Sequence, residues 1–278
     1  MASMYEAHWN ISDRPFENWG DNRYFFASEV HQSAILQLRY AIESRRAAVT
    51  LCGDSGMGKT LLMDTLIGQL TENDSPIAKI VFPHLSGEQL LGYIADELTG
   101  ESGAYDEPSR ITLRRLSSFL QKNIDDGKHA IVIVDEAQVL TANDQLETLR
   151  LLLNLQHDHN RAESALTLVL VGHTTLLTQV ERYRALDDRL SAKCILNRFT
   201  SEQTVQYISH RLSVVGGNAS EIFLPEALEL LHLRAAGIPR RINRLADLAL
   251  MVGYADDVRR INVQHIDNVH QELIANAA

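Results

Sequence analysis

The sequence lacks several features that mark special classes of protein. Its 278 residues include only two cysteines, Cys52 and Cys194, and these lie far apart in the chain. We therefore expect a reducing, cytoplasmic compartment in which both thiols are small apolar core groups. The formal net charge is −10, so positive charge is not in excess. This balance argues against a protein that coats nucleic acid through bulk charge, although a local basic patch stays compatible with it.

Long apolar runs are also missing. No run approaches the roughly 18 residues that a membrane-spanning helix needs, and the longest runs, at 130–134 and 166–171, are short and strand-like. The N-terminus lacks the basic start and the apolar centre of a signal peptide. We therefore expect no membrane span and a cytoplasmic location, with any contact to the inner membrane made through partner proteins.

The chain does contain a regular alternation of apolar, β-branched runs with helical patterns. The predicted strands lie at 47–52, 77–82, 130–134, 166–171 and 192–196. The predicted helices between them lie at 29–45, 59–70, 86–98, 109–125 and 143–155. Because buried strands that alternate with helices are typical of parallel sheets, this order predicts an α/β fold with a parallel sheet sandwiched by helices.

The pattern changes near residue 200. After Phe199 only helical segments follow, at 201–215, 225–235, 239–254 and 263–275. We therefore predict an α/β nucleotide-binding domain at residues 1–199 and a small all-helical lid domain at residues 200–278. The first domain begins with an arm, residues 5–28, that is rich in aromatic side chains. Such an arm is expected to dock rather than to float in solvent.

The strongest motif is a glycine-rich loop between the first predicted strand and the following helix. It reads Gly53-Asp54-Ser55-Gly56-Met57-Gly58-Lys59-Thr60 and continues into Leu61, which fits the P-loop pattern. Its glycines let backbone N–H groups point at phosphate oxygens, and the helix adds its positive N-terminal end. We expect this whole segment to bind ATP, with Lys59 on the β- and γ-phosphates and Thr60 on Mg²⁺.

Two acids follow the fully apolar run at 130–134. Asp135 and Glu136 would stand at the carboxyl end of a strand, where ligands lie in open α/β sheets. We expect Asp135 to hold Mg²⁺ directly or through water, and Glu136 to orient and polarise the attacking water. For Gln138, two residues on, the sequence leaves two roles open: contact with the site, or capping of the next turn.

A further polar pair ends the predicted strand at 166–171. His173 is our candidate for a contact with the γ-phosphate or the attacking water, and Thr174 is second. The alternative is that His173 only caps the helix that follows.

Arginines provide two more candidate groups. Arg189 precedes the last predicted strand, where an exposed guanidinium can act as a finger on the nucleotide of a neighbouring subunit. The alternatives are a surface ion pair with Asp187 or Asp188, or a finger at Arg182 or Arg184 instead.

Arg240, in Gly237-Ile238-Pro239-Arg240, opens a predicted helix of the second domain. There it could reach over the nucleotide, with Arg241 and Arg244 as rivals. The alternative is a solvated basic helix face.

Taken together, these motifs resemble those of AAA+ ATPases, and in particular the ExeA-type family, which comprises general secretion pathway protein A and the related MSHA pilus-biogenesis ATPases. The resemblance covers nearly the whole chain. It is carried by Asp13–Phe16, the phosphate loop, Val134–Gln138, Leu149–Leu155, Leu168–Gly172 and Gly237–Leu245.

The resemblance implies roles for individual residues. Lys59 and Thr60 match Walker A, and Asp135 and Glu136 match Walker B. His173 falls at the sensor-1 position, where the family usually has Gln. Arg189 matches the finger position, and Arg240 matches the sensor-2 position.

The sequence therefore predicts an ATP- and Mg²⁺-dependent ATPase that works as a homo-oligomer. Our first functional hypothesis is a motor or assembly factor for a secretion or pilus-type complex at the envelope. The second is a transposition- or initiator-type ATPase that acts on DNA, which the negative charge disfavours. The third is a nucleotide switch that hydrolyses ATP slowly.

Overall fold

The computed structural model describes residues 5–17, 20–70, 75–81, 83–103, 107–141, 143–155 and 164–275. The chain forms two compact units, which we treat one at a time. The α/β unit consists of Glu29–Ser55 and Thr65–Leu196, and the helical unit consists of Met1–Ser28, Gly56–Asp64 and Asn197–Ala278. A domain boundary at residue 200 remains our prediction.

The α/β unit is built on a five-stranded parallel sheet. Its strands are β1 (Ala48–Gly53), β2 (Ile77–Ile80), β3 (Ala130–Val134), β4 (Leu166–Gly172) and β5 (Leu190–Leu196). They lie in the order β2-β3-β4-β1-β5, and each neighbouring pair is parallel. Every residue of β1, β3 and β4 is buried, because strands covered on both faces need apolar side chains on both. The parallel α/β sheet predicted from the sequence is confirmed.

Helices flank this sheet. They are α1 (Glu29–Glu43), α2 (Lys59–Leu70), α3 (Gly87–Thr99), α4 (Ser109–Asp125), α5 (Asn143–Leu152), α6 (Thr175–Arg182) and α7 (Arg184–Asp187). Only the part of α2 from Thr65 onward belongs to the α/β unit. Helix α3 starts at a capping box, in which Ser86 and Gln89 satisfy each other's backbone N–H groups. Its buried face, which includes Leu90 and Ile94, packs in one core with alternate residues of the strands, such as Val132.

Between residues 197 and 275, the described C-terminal part of the helical unit contains five helices. They are α8 (Ser201–Val214), α9 (Ala219–Ile222), α10 (Pro225–Ala235), α11 (Pro239–Ala255) and α12 (Val263–Ala275). Thr200 and Gln203 form a second capping box at the start of α8. Both α10 and α11 begin with proline, whose fixed φ suits the first helical position and whose missing N–H is not needed there.

The aromatic arm packs inside the helical unit. Tyr5, Trp9 and Phe16 are buried in the same core as residues of α8 and α11. The Tyr5 hydroxyl donates to Asp247 Oδ1 at 2.5 Å, and Trp9 Nε1 donates to the carbonyl of Leu250 at 3.1 Å. The arm therefore goes with the C-terminal helices, whereas our sequence division grouped it with the α/β domain. Trp19 of the arm lies outside the described residues.

A buried arginine holds the later part of the arm. The guanidinium of Arg211, on α8, lies over the ring of Tyr24 at 4.5 Å. It donates to the Tyr207 hydroxyl at 2.9 Å and to the carbonyl of Glu17 at 2.8 Å. The guanidinium also lies 5.7 Å from the ring of Tyr207, so the charge is stabilised by two aromatic rings and two oxygen acceptors.

Within the described ranges, none of the helices combines the length and the apolar character that crossing a membrane requires.

Candidate functional site

The carboxyl ends of three adjacent strands bring the candidate residues to one edge of the sheet. Strand β4 lies between β1 and β3, with Cys52 beside Gly172 and Val134 beside Leu170. Asp54 therefore follows β1, Asp135 and Glu136 follow β3, and His173 follows β4, all on the same edge of the α/β unit. Polar side chains at the ends of parallel strands form the usual ligand edge of an open α/β sheet.

The phosphate loop has the backbone that its glycines allow. Gly56 and Gly58 have φ values of +83° and +85°, which side chains with a Cβ rarely adopt. Helix α2 then begins at Lys59, so Thr60 and Leu61 lie in its first turn. Lys59 is only 8% exposed. The loop therefore offers backbone N–H groups and a largely buried cation, which suit a phosphate.

The start of α11 lies against this loop within the helical unit. The backbone N–H of Arg240 donates to the carbonyl of Gly56 at 3.2 Å. A Cβ placed on Gly56 would lie 2.7 Å from Cβ of Arg240, which is too close for any other residue. Arg240 is thus anchored through its backbone while its side chain is exposed. The rivals Arg241 and Arg244 are also exposed, on the same helix.

The two acids after β3 differ in environment. Asp135 is 6% exposed, its N–H donates to the carbonyl of Ile80 at 2.8 Å, and its Oδ1 accepts from the N–H of Glu136 at 2.8 Å. Glu136 adopts a left-handed backbone with φ of +52°, which is uncommon for a residue with a Cβ. This turn leaves the Glu136 side chain exposed at the strand end. Asp135 is therefore buried and held by hydrogen bonds, and the side chain of Glu136 is exposed to solvent.

His173 faces the phosphate loop and also caps a helix. Its Nε2 lies 3.6 Å from Asp54 Oδ1. Its Nδ1 accepts from the N–H of Thr175, in the first turn of α6, at 3.4 Å. Because Nδ1 is an acceptor, a neutral His173 carries its proton on Nε2, toward Asp54. The capping contact that the sequence offered as the alternative is therefore present, and a contact of His173 with the γ-phosphate or the attacking water stays a prediction. Thr174 makes no side-chain cap.

Gln138 is the residue whose position the sequence left most open. It lies in a 3-10 turn, Ala137–Val139, directly after the acids. Its side-chain amide donates to Glu136 Oε2, and its side-chain oxygen accepts from the N–H of His173 at 2.9 Å. Gln138 therefore contacts two candidate residues at once. Nothing in a single sequence could reveal this, because it depends on β3 and β4 being neighbours.

Arg189 lies at the opposite edge of the sheet. Leu190 pairs with Ala48 at the start of β1, and Leu196 pairs with Gly53 at its end. Six residues of strand, at about 3.3 Å each, place roughly 20 Å between Arg189 and the edge that carries the phosphate loop. Arg189 is thus remote from the ligand edge of its own α/β unit.

The contacts of Arg189 also differ from the ion pair that the sequence offered as an alternative. Its Nη2 donates to Asn154 Oδ1 at 2.5 Å, while Asp187 pairs with Lys193 at 2.7 Å. Arg182 and Arg184, the rival finger candidates, are exposed on α6 and α7. No pattern in the sequence indicates that Asn154 is the hydrogen-bond partner of Arg189.

The residues present fit a magnesium–nucleotide ligand. Across the described part of the chain no three or more His, Cys, Asp or Glu side chains gather in a way that could hold a metal ion by themselves. Of the two residues that the sequence assigns to Mg²⁺, Asp135 has a carboxylate and belongs to the α/β unit, and Thr60 has a hydroxyl and belongs to the helical unit. Such a sparse set of oxygen ligands suits Mg²⁺, which usually takes one or two protein carboxylates and completes its shell with waters and phosphate oxygens.

Comparison with known proteins identifies the family of the chain. A family model described as an AAA domain matches residues 42–180, which is half of the chain. General secretion pathway protein A of Aeromonas hydrophila is 34% identical over 262 residues. The match covers 93% of this chain but 46% of that protein, so the chain spans about half the length of this relative.

Solved structures share the fold at low sequence identity. Drosophila ORC bound to DNA superposes with a TM-score of 0.70 at 16% identity, covering 98% of this chain and 66% of that one. Cdc6p from Pyrobaculum aerophilum gives 0.70 at 16%, covering 94% and 71%. The Thermotoga maritima RuvB Holliday junction branch migration motor gives 0.59 at 18%, covering 90% and 70%. At these identities the likeness concerns the fold alone.

Proposed function

Because this chain belongs to the AAA family of P-loop ATPases and is of the general secretion pathway protein A type in sequence, we propose that it binds ATP with magnesium and hydrolyses it. The observation that carries the proposal is the single sheet edge at which Asp54, Asp135, Glu136 and His173 follow three adjacent parallel strands. A glycine-rich loop that leads into α2 continues from the same edge.

The charge and the burial of each residue suggest its role in binding the nucleotide. The backbone N–H groups from Gly53 to Leu61 bind the phosphates, and Lys59 supplies a compact positive charge to the β- and γ-phosphates. Thr60 and Asp135 hold magnesium, which neutralises charge on the phosphate oxygens when it is bound. Arg240 adds a second cation from α11, since its backbone is anchored on Gly56.

Hydrolysis requires a group that positions water. Glu136 is the candidate, because it is the acid that stands exposed at the strand end while Asp135 is buried and bonded. Its carboxylate orients the water and accepts its proton as the water oxygen bonds to the γ-phosphorus, while the bond from that phosphorus to the bridging oxygen breaks and ADP leaves with the oxygen. We assign His173 as a donor to the γ-phosphate, which is supported by the distance of 3.6 Å between its Nε2 and Oδ1 of Asp54 in the phosphate loop.

Arg189 acts on the nucleotide of a neighbouring copy. This part of the proposal is supported by its position at the far edge of the sheet, roughly 20 Å from the ligand edge along β1. A finger that cannot serve its own subunit requires an oligomer in which each site borrows an arginine. We therefore propose a homo-oligomer joined through ATP-bearing interfaces.

The client proposed for this machine is a secretion or pilus-type complex at the envelope, on the strength of the 34% identity to a general secretion pathway protein. A DNA-directed role is disfavoured by the net charge of −10. A slow nucleotide switch would differ from a motor in its turnover. Steady-state phosphate release, measured with and without purified candidate partners, distinguishes the motor from the slow switch.

The first test uses two variants at the proposed site. Lys59→Ala should weaken the binding of a fluorescent ATP analogue by tenfold or more, because the phosphates lose their compact cation. Lys122→Ala is the matched control, since Lys122 is an exposed lysine on α4. An affinity of Lys59→Ala within threefold of wild type, under about 0.7 kcal/mol, would refute the phosphate-loop assignment.

The second variant addresses hydrolysis. Glu136→Gln should retain ATP binding and lose about a hundredfold or more of its phosphate release, because an amide cannot accept the proton from water. Normal turnover by this variant would show that another group positions the water, and it would remove Glu136 from the mechanism.

A further inference from the structure

The tips of β3 and β4 are joined by one side chain that belongs to neither strand. Gln138 donates from its amide nitrogen to Glu136 Oε2, while its side-chain oxygen accepts from the backbone N–H of His173 at 2.9 Å. A glutamine amide has donors on one atom and acceptor capacity on the other. It can therefore bridge a carboxylate and an N–H group, which neither a carboxylate nor an aliphatic side chain can do.

The bridge is itself held in place. The backbone carbonyl of Gln138 accepts from Nε2 of Gln179, on α6, at 2.9 Å. Gly172, the last residue of β4, leaves room for the side chain, since a Cβ on Gly172 would lie 2.5 Å from Gln138 Oε1. The glutamine is thus fixed by α6 on one side and by a glycine at the strand tip on the other.

The Glu136 side chain needs a hydrogen-bond partner that fixes its orientation. Glu136 stands exposed on a left-handed turn, so its side chain has few packing neighbours that would fix its rotamer. Since Gln138 also binds the N–H of His173, the orientation of the Glu136 carboxylate depends on where the tip of β4 lies.

We propose that Gln138 is a positioning residue that couples the Glu136 carboxylate to the tip of β4, so that a movement of the strand tip at His173 reorients the group that acts on water. The inference rests on the proposed hydrolysis of ATP at this edge. Gln138 itself touches neither nucleotide nor water in this mechanism. Its effect on turnover passes through Glu136.

The test replaces the side chain without emptying its space. Gln138→Met keeps the length of the side chain and loses both hydrogen bonds. We expect kcat to fall tenfold or more, while the Kd for a fluorescent ATP analogue stays within threefold, because the bridge contacts no part of the phosphate loop. Gln89→Met is the matched control, since Gln89 belongs to the capping box of α3. Its turnover should stay within twofold of wild type.

A second variant separates the two ends of the bridge. Gln138→Glu keeps an acceptor for the N–H of His173, but it replaces the donor to Glu136 with a like charge. We expect kcat to be at least as low as in Gln138→Met. Wild-type turnover in Gln138→Glu would show that the contact with Glu136 has no effect, and it would overturn the proposal.

A third variant displaces the side chain of Gln138 without replacing that residue. Gly172→Ala introduces a methyl group at Gln138 Oε1 and should lower kcat in the wild-type background. In the Gln138→Ala background the same change meets a shortened side chain, so it should lower kcat by no more than about threefold. Equal losses in both backgrounds would show that Gly172 acts independently of Gln138, and they would contradict the coupling.

The outcomes separate this inference from the function on which it rests. Normal turnover by Gln138→Met, together with lost turnover by Glu136→Gln, would overturn the coupling and leave the proposed ATPase intact. Equal turnover by wild type and Glu136→Gln would overturn the proposed role of Glu136 and the coupling with it. Thermal unfolding measured on each variant identifies any loss of turnover that comes from loss of the fold, and Gln138→Glu then decides the matter.

Discussion

Replacing His129 with glutamine should remove a pH-dependent loss of stability from the α/β unit. His129 is buried just before β3, with Nε2 2.8 Å from the hydroxyl of Thr167. That hydroxyl donates to the carbonyl of Arg46 at 2.6 Å, so it accepts from Nε2–H of a neutral imidazole. Burial, and then the nearby charge of Arg45, lower the pKa of His129 from 6.5 to about 4. The folded chain therefore keeps this ring neutral.

The sign and size of the effect follow from the two pKa values. Between pH 6.5 and pH 4 the unfolded chain binds a proton at His129 that the folded chain does not, so stability falls as the pH is lowered. At 1.36 kcal/mol for each unit of pKa difference, the full loss is about 3 kcal/mol. Between pH 7.5 and pH 5.5 the same linkage gives a loss of about 1.4 kcal/mol from this one group.

Urea unfolding of wild type and His129→Gln at pH 7.5 and 5.5 measures this loss. A glutamine can still donate to the Thr167 hydroxyl, so its cost at pH 7.5 reports on packing and should not depend on pH. We expect the free-energy difference between the two proteins to shift by about 1.4 kcal/mol in favour of the variant at pH 5.5. A shift below about 0.5 kcal/mol would mean that His129 titrates normally in the folded chain, and the reasoning from burial would be wrong.

Two further predictions concern the assembly and the backbone. Arg189→Ala and Lys59→Ala should each lack ATP turnover alone, yet a mixture of the two should regain part of it. In the mixture, a subunit with an intact Arg189 can face a neighbour with an intact phosphate loop. Near-normal turnover by Arg189→Ala would contradict this. Gly237→Ala should lower the thermal midpoint of the helical unit, because φ there is +67° and a Cβ would lie 2.3 Å from the carbonyl oxygen of Phe199. An unchanged midpoint in a calorimetric scan would show that the backbone relaxes without cost.

The sequence predicts the elements of this fold well where side-chain burial decides them. The run at 130–134 is predicted as a strand and is one, because a strand buried on both faces admits little but apolar residues. The helices predicted at 109–125, 225–235 and 263–275 have those bounds in the structure. The four-residue helices α7 and α9 are missed, because so short a helix has no periodicity to read.

The sequence predicts the structure less well where a contact depends on which strands are neighbours in the sheet. The strand predicted at 192–196 begins at Leu190, where alternate residues of an edge strand face solvent and dilute the apolar signal. The order of the strands decides that His173 lies near Asp54 and that Gln138 reaches both Glu136 and His173. These are contacts between loops far apart in the chain, and local propensity carries no information about them.

The packing of the aromatic arm has a consequence for the synthesis of this protein. Tyr5 and its partner Asp247 are 242 residues apart, and Glu17 and Arg211 are 194 apart. At roughly 5–20 residues per second, the ribosome needs about 10–50 s after making Tyr5 before Asp247 exists. Until α8 and the later helices exist, the core that buries Trp9 and Phe16 is incomplete, so the nascent chain exposes an aromatic segment. The arm, which precedes these helices in the chain, is thus among the last segments that can fold.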